Sequence, residues 1–247
     1  MGHKYIKGKW KKGIIMIGLM LCGFVAGIIC GSLVMYARGG DAAASNVKSE
    51  ESQTMDWTLY SWQNFVTFAD YDADIVFFGD SLTSNYNFQS KFPNVKILNM
   101  GLVGDTLTGM HDRVVMVKSV TPEKIFVMGG INGIHDRTVA ETVNQYRDLL
   151  TKLQEEIPDA VIYVESILPI LKTRADEYAS NEMIAKQNEE LEKLVVEMGA
   201  IWIDLYSLYI KDGELDSKLT EDGLHLTDNA YSYWIEAVKP YVGDAVK

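Results

Sequence analysis

Short apolar runs alternate with longer amphipathic segments from residue 74 onward. The runs are about five residues long, which suits strands that are buried on both faces of a sheet. They fall at residues 74–78, 95–99, 124–128, 160–165 and 200–204. Between the later runs, apolar residues recur every three or four positions, as they do in a helix with one buried face.

Two of these helices have clear ends in the sequence. One apolar stripe runs from Val139 to Ile157 and stops before Pro158, which cannot continue a helix. The other runs from Ile184 to Met198 and is followed by a glycine, the residue preferred just beyond a helix C-terminus. Strands and helices that alternate in this way form β–α–β crossovers. We therefore predict an α/β fold with a five-stranded parallel sheet and helices on both of its faces.

The N-terminal part of the chain has a different pattern, because residues 13–37 contain no charged side chain. A helix of this length, at about 1.5 Å per residue, spans a bilayer core of roughly 30 Å. We predict a transmembrane anchor over 13–37. A cleaved signal peptide with its cleavage site near residues 42–44 is the alternative, but the apolar stretch exceeds the usual core of ~7–15 residues.

The charges on either side of this segment predict its orientation. Five lysines precede it and only Arg38 follows it closely, so the positive-inside rule makes residues 1–12 a basic cytoplasmic tail. The rest of the chain then lies outside the cell membrane. Residues 38–54 are small and polar, which predicts a flexible linker, and residues 55–247 form the folded domain.

Composition excludes several classes of protein and several kinds of partner. Of 247 residues, 47% are hydrophobic and 23% charged, which excludes disordered, collagen-like and disulfide-rich proteins. Both cysteines, Cys22 and Cys30, lie in the apolar segment, so the outer domain has no disulfide. None of the 34 acidic residues and five of the 23 basic ones precede residue 38, so the remainder carries a net charge of −16. We expect such a surface to repel nucleic acid.

Polar motifs follow the predicted strands. In an open parallel sheet, ligands bind beyond the carboxyl ends of the strands. The first strand leads into Gly79–Thr83, the second into Gly104–Thr106 and the third into Gly129–Asn132, while Asp222–Leu226 follows the fifth. We expect these four segments to meet at one edge of the sheet.

Three residues of these motifs have the chemistry of a nucleophilic triad. A serine hydroxyl needs a base to take its proton, and the imidazole that does so needs a carboxylate to fix its tautomer. Ser81, His225 and Asp222 supply these groups, and the carboxylate precedes the imidazole by three residues on one turn. The backbone N–H groups of Ser81 and Gly104 and the side-chain amide of Asn132 are candidate donors to the oxyanion.

In their order and spacing, the four blocks resemble the GDSL family of esterases and lipases, also called SGNH hydrolases, over residues 74–240. The resemblance implies a flavodoxin-like three-layer αβα sandwich. It also implies that Ser81 is the nucleophile, that His225 is the general base and then the acid, and that Asp222 orients it. Ester hydrolysis would proceed through an acyl-enzyme, without a metal or cofactor.

The same resemblance assigns the oxyanion hole to Ser81, Gly104 and Asn132. One position departs from the family pattern, because Gly133 stands where an aspartate usually follows the asparagine. We expect this difference to change a loop contact and not a catalytic group. The α/β-hydrolase fold is disfavoured, because Thr83 occupies the position of the second glycine in Gly-x-Ser-x-Gly.

Other polar residues receive a structural interpretation. We expect Asp80 and Asp105 to bond the backbone of their own turns. His111 and His135 are 24 residues apart without a third ligand at a zinc-like spacing, so we expect exposed loop histidines and no metal site. His135 is also a candidate substrate-binding residue, since it lies three positions after Asn132. A short His-Asp-Arg triplet occurs twice, at residues 111–113 and 135–137.

Together these observations predict a single-pass membrane protein with an extracellular serine esterase domain. Its substrate would be an O-acetyl or short-chain acyl ester of carbohydrate, a choice that depends on location and not on any pocket residue. An O-acyltransferase that acts on cell-wall or surface glycan would share the acyl-enzyme, and a lysophospholipase-like lipid acylhydrolase is a further alternative. A non-catalytic carbohydrate-binding module is the alternative from a different class.

Overall fold

A computed structural model of the protein describes residues 72–243. The predicted basic tail (1–12), transmembrane anchor (13–37) and linker (38–54) lie outside these residues, so those assignments stay predictions. Within the described part of the chain, none of the helices is both long enough and apolar enough to cross a bilayer.

Five parallel strands form the central sheet, which confirms the prediction from the apolar runs. They are β1 (Ile75–Gly79), β2 (Ile97–Gly101), β3 (Lys124–Met128), β4 (Val161–Glu165) and β5 (Ile201–Ile203). Each lies within two residues of its predicted position. The strand order β2-β1-β3-β4-β5 is the flavodoxin-like order, in which the ligand site lies at the switch point between β1 and β3.

Helices pack on both faces of this sheet, as predicted. They are α1 (Ser81–Ser84), α2 (Leu107–Val120), α3 (Val139–Glu156), α4 (Asn181–Glu197), α5 (Tyr206–Tyr209) and α6 (Tyr231–Val242). Helices α2, α3 and α4 share one core with Val76 and Phe78 of β1. Helix α6 and Leu82 of α1 share the other core with Ile75 and Phe77. Successive β1 side chains therefore point to opposite layers, as the alternation of a strand requires.

A row of stacked aromatic rings fixes the register of the sheet beneath α6. Phe77, Phe126 and Tyr163 are register partners on β1, β3 and β4. Their ring centroids are 4.7 Å and 4.6 Å apart in turn, and Phe88 stacks on Phe77 at 3.9 Å. Such pairs add to the free energy of burial, about 0.5–1.5 kcal/mol each. The positions of the strand ends that carry the motifs thus depend on a rigid core.

The helix ends follow the local sequence. Thr138 and Glu141 form a capping box at the start of α3. Ser180 caps the start of α4, and Gly199 follows its end with a φ of 73°. An antiparallel hairpin of β6 (Ile210–Lys211) and β7 (Glu214–Leu215) adds an element that the apolar pattern did not predict.

Candidate active site

The turn after β1 places Ser81 at the carboxyl edge of the sheet. A Cβ atom on Gly79 would collide with the Thr83 hydroxyl and the Met128 carbonyl, so only glycine allows the turn to lie this close to β3. Asp80 then caps α1, because its Oδ1 accepts a hydrogen bond from the Leu82 N–H at 3.0 Å. This contact confirms the expectation that Asp80 bonds the backbone of its turn.

Ser81, His225 and Asp222 lie in one hydrogen-bonded row, as their types and spacing predict. His225 Nε2 is 2.9 Å from Ser81 Oγ, although 144 positions of chain separate the two residues. His225 Nδ1 is 2.6 Å from Asp222 Oδ2 on the opposite side of the ring. The row has the order that a carboxylate, an imidazole and a hydroxyl need for stepwise proton transfer.

The carboxylate of this row is held by its own turn. Asp222 Oδ1 accepts hydrogen bonds from the backbone N–H groups of Leu224 at 2.9 Å and His225 at 2.7 Å. Partial burial raises the pKa of Asp222, but the bonds from the imidazole and the two amides outweigh it and bring the pKa to about 2. Asp222 is therefore ionised at neutral pH and can accept the Nδ1 proton of His225.

The candidate oxyanion donors lie on the loops of three adjacent strands. Gly104 follows β2 with a φ of 75°, and its N–H donates no hydrogen bond within residues 72–243. Asn132 lies in the 3₁₀ turn Ile131–Gly133 after β3, and its Nδ2 donates to the Asp105 carbonyl at 2.9 Å. A side-chain amide has two N–H donors, so Asn132 has a second one for a ligand.

A buried arginine joins these loops. Arg113 of α2 is only 3% exposed and donates to the carbonyls of Gly79 at 3.3 Å and Met100 at 3.1 Å. Its Nε also donates to the Asp105 carboxylate at 2.9 Å. Since the Asp105 carbonyl holds the Asn132 amide, one guanidinium connects all three strand ends of the site.

Sequence reasoning missed this role of Arg113. Asp105 does bond its own turn through the Thr106 N–H at 2.9 Å, as expected, but its ion pair with Arg113 was not predicted. A signal was present, because Arg113 falls on the same helical stripe as the buried residues Met110 and Val117. A charge at a core position usually has a partner.

Asp80 is buried, as Asp105 and Arg113 are, and we call these three residues the buried frame. Its side chain is fully buried, and burial raises its pKa to about 7, with the Leu82 N–H opposing this shift and the nearby Asp105 carboxylate adding to it. Asp80 Oδ2 has no hydrogen-bond partner among the described residues. The frame behind Ser81 is thus built from buried titratable groups.

The structure explains the departure at Gly133. A Cβ atom there would meet the flexible end of the Arg137 side chain, which donates a hydrogen bond to the Gly133 carbonyl and would have to shift. The arginine therefore fills the space beside the loop. The effect of the missing carboxylate on a loop contact stays a prediction.

The two histidines outside the row occupy different settings. The expectation that His111 lies in a loop was wrong, because it is on α2, where its Nδ1 is 3.3 Å from Asp112. His135 is exposed in the loop before α3, with its Nε2 at 3.9 Å from Asp136. Its role in substrate binding stays a prediction. Between residues 72 and 243, no three histidine, cysteine or acidic side chains are grouped as a metal site needs.

A groove of about 620 Å³ opens beside Asp222 and His225. Apart from Leu226, the side chains that line it are polar or charged. These are Lys218, Glu221, Asp222, His225, Thr227, Asp228 and Asn229. Such a lining suits a ligand with many hydroxyl groups better than a long acyl chain.

Comparisons with known proteins agree with this geometry. A model of the GDSL-like Lipase/Acylhydrolase family matches residues 77–233. No curated protein matches the sequence.

Solved structures with the same fold include bacterial proteins. A candidate platelet activating factor from Streptococcus pneumonia is 25% identical, with a TM-score of 0.65 over 76% of this chain and 91% of that one. A GDSL-like lipase from Bacteroides thetaiotaomicron is 16% identical, with a TM-score of 0.66 over 77% and 98%. A variant of an acetyl-xylooligosaccharide esterase from Geobacillus Stearmophilus is 15% identical, with a TM-score of 0.55 over 69% and 94%. The last two likenesses show the fold alone.

Proposed function

We propose that this chain, which belongs to the GDSL-like Lipase/Acylhydrolase family, removes acetyl or other short acyl groups from carbohydrate hydroxyls. The chain is a hydrolase that acts on ester bonds. The row of hydrogen bonds from Asp222 through His225 to Ser81 carries the proposal for the reaction.

In the proposed first half-reaction, Ser81 Oγ attacks the ester carbonyl carbon while His225 Nε2 takes the hydroxyl proton. Asp222 stabilises the imidazolium that forms. The C–O bond to the sugar then breaks, and Nε2 returns the proton to the departing sugar oxygen. The acyl group stays on Ser81 as an ester, and the sugar leaves with a free hydroxyl.

The second half-reaction repeats these steps with water. His225 Nε2 takes a proton from the water as the water oxygen attacks the acyl carbon. The bond from that carbon to Ser81 Oγ then breaks, the imidazolium protonates Oγ, and the carboxylic acid leaves. In both halves, the oxyanion would be bound by the N–H groups of Ser81 and Gly104 and by the Asn132 amide. One such donor contributes roughly 3–4 kcal/mol to lowering the barrier.

The lining of the groove supports a carbohydrate substrate. Seven of the eight described residues that line it are polar or charged, so a sugar would find hydrogen-bond partners there. A long acyl chain would need apolar surface, and among the described lining residues only Leu226 offers it. One esterase of known structure with this fold is named for acetyl-xylooligosaccharide.

The proposal also includes the cellular location of the domain. The uncharged segment 13–37 would anchor the protein in the cell membrane, and the preceding lysines would keep the N-terminus in the cytoplasm. The domain would then meet extracellular or cell-wall glycan. Alkaline phosphatase, which folds actively only outside the cytoplasm, tests this when fused after residue 12 or after residue 54. The first fusion lacks the apolar segment and is the inactive control. We expect activity from the second fusion, and its absence would contradict the orientation.

Hydrolysis by the purified full-length protein tests the substrate. We expect p-nitrophenyl acetate to be cleaved with a higher kcat/KM than the octanoate, and acetate to be released from acetylated xylo-oligosaccharide. Ser81→Ala is the control and should lose roughly 10⁴-fold or more in kcat. A preference for the octanoate or for lysophospholipid would contradict the carbohydrate proposal. Acetyl transfer to an added sugar in place of release to water would make the protein a transferase.

A further inference from the structure

The turn that carries Asp222 and His225 is held from outside by the loop after β4. The Leu171 N–H donates to the Gly223 carbonyl at 2.9 Å. Arg174 Nη1 donates to the preceding carbonyl, that of Asp222, at 2.8 Å. The 3₁₀ turn Lys172–Arg174 and the preceding Leu171 therefore bond two consecutive carbonyls of the catalytic turn.

The loop itself is fixed to α4. The side-chain amide of Asn188 bonds both the N–H of Ile167 at 2.9 Å and its carbonyl at 2.8 Å. Asn181 makes the same pair of bonds to Ile170, at 2.9 Å and 2.8 Å. Both asparagines are buried. These bonds to α4 thus hold rigid the loop from which the Arg174 side chain extends to the catalytic turn.

The Arg174 side chain is held on three sides. Nη2 donates to Glu177 at 2.7 Å, and the guanidinium lies over the Tyr178 ring, 5.4 Å from its centroid. Cγ lies only 3.0 Å from the position that a Cβ on Gly223 would take. Gly223 also has a φ of 85°, so the turn is glycine-dependent at the point where it meets Arg174.

The catalytic turn needs such support because burial does not provide it. The side chains of Asp222 and His225 are 45% and 33% exposed. Surface loops open more readily than core elements, so main-chain hydrogen bonds must keep their geometry. Of the two bonds that come from the loop after β4, the one from Arg174 reaches the main-chain carbonyl of Asp222 and the one from Leu171 reaches that of Gly223.

We propose that Arg174 is a positioning residue for the hydrolytic site. By bonding the main-chain carbonyl of Asp222, it keeps Asp222 Oδ2 on His225 Nδ1, and so keeps Nε2 directed at Ser81. Arg174 does not touch the reacting atoms. This role rests on the proposed triad but not on the identity of the natural substrate.

Two variants separate positioning from loop stability. Arg174→Met removes the contact with Asp222 and the ion pair with Glu177, whereas Glu177→Gln weakens only the ion pair. In full-length protein with p-nitrophenyl acetate, we expect Arg174→Met to lower kcat about 10- to 100-fold, as small misplacements of catalytic groups do. KM should stay within about twofold of wild type, since substrate binding is not removed. Glu177→Gln should keep the wild-type kcat, and Arg174→Lys, which retains one donor and the charge, should recover part of the loss.

Several results would overturn the proposal. These are a wild-type kcat in Arg174→Met, an equal loss in Glu177→Gln, or a change in KM alone. If Arg174→Met does not fold, Arg174→Lys and Glu177→Gln decide, and equal kcat values in both would count against the role. Labelling of the wild type by a fluorophosphonate separates this proposal from the proposed function. A wild type that is labelled and cleaves p-nitrophenyl acetate, but releases no acetate from sugars, refutes only the substrate.

Discussion

The two halves of the candidate site are built differently. Ser81 stands on a buried frame, in which Asp80 and Asp105 are fully buried and Arg113 is 3% exposed. Asp222 and His225 lie on a half-exposed turn that main-chain hydrogen bonds hold in place. In the first half, packing holds the side chains in position, and burial makes the ionisation of each carboxylic acid unfavourable. In the second half, the Asp222 carboxyl group ionises readily, and the positions of Asp222 and His225 depend on the hydrogen bonds of the turn.

This contrast predicts that variants of the turn lose activity without losing the fold. Asp222→Asn retains an oxygen for the N–H groups of Leu224 and His225, but places an NH₂ donor against His225 Nδ1. The imidazole then takes the wrong tautomer. We expect kcat to fall about 10⁴-fold. Urea unfolding at pH 7 should differ little from wild type, and a large loss of stability there would contradict the contrast.

The buried frame should respond in the opposite way. Arg113→Met removes the partner of the buried Asp105 carboxylate and the donor to Gly79 and Met100. Breaking a buried ion pair on one side destabilises a protein by about 3–5 kcal/mol. Urea unfolding measures this loss. Arg147→Met is the matched control, because Arg147 pairs with Glu197 on the surface, and we expect a loss of about 0–1 kcal/mol there.

Buried acids outside the reaction should make stability depend on pH. Glu165 at the end of β4 accepts a hydrogen bond from Trp234 Nε1 at 2.6 Å, and burial raises its pKa to about 8. The folded state therefore keeps a proton that the unfolded state releases above its ordinary pKa of 4.5. Stability is greatest below that value and falls as pH rises toward 8, by up to about 1.4 kcal/mol per pH unit.

Glu165→Gln keeps an acceptor for the Trp234 N–H and removes the titration. We expect the slope of stability against pH between 5 and 8 to decrease by the contribution of about one proton. Part of the slope should remain, because Asp80 has a pKa of about 7 and still titrates. Urea unfolding at a series of pH values gives this slope. An unchanged slope in Glu165→Gln would show that this carboxyl is ionised in the fold.

Sequence reasoning was most successful where the signal was local. The apolar run at residues 74–78 predicts a strand buried on both faces, and the structure has a fully buried strand at Ile75–Gly79. Pro158 and Gly199 mark helix ends through backbone chemistry. The positions of Asp222 and His225 follow from the geometry of one turn. These features depend on neighbours within a few residues.

What the sequence did not predict depends on contacts between distant segments. Arg113 meets the Gly79 carbonyl across 34 positions, and Arg174 meets that of Asp222 across 48. Arg113 belongs only to the repeated His-Asp-Arg triplet and Arg174 to none of the motifs, and a charged side chain on a helix or in a loop usually faces solvent. The setting of His111 was misjudged because no helix was predicted between the second and third strands, although Leu107, Met110, Val114 and Val117 recur there at helical spacing.

The most direct test of the account is the site and rate of labelling by a fluorophosphonate, read by mass spectrometry of the digested full-length protein. We expect one adduct, on Ser81, that forms much more slowly in His225→Ala and Asp222→Asn and is absent in Ser81→Ala. Labelling of another residue, or labelling of Ser81 at the wild-type rate without His225, would contradict the claim that these three side chains act as one unit.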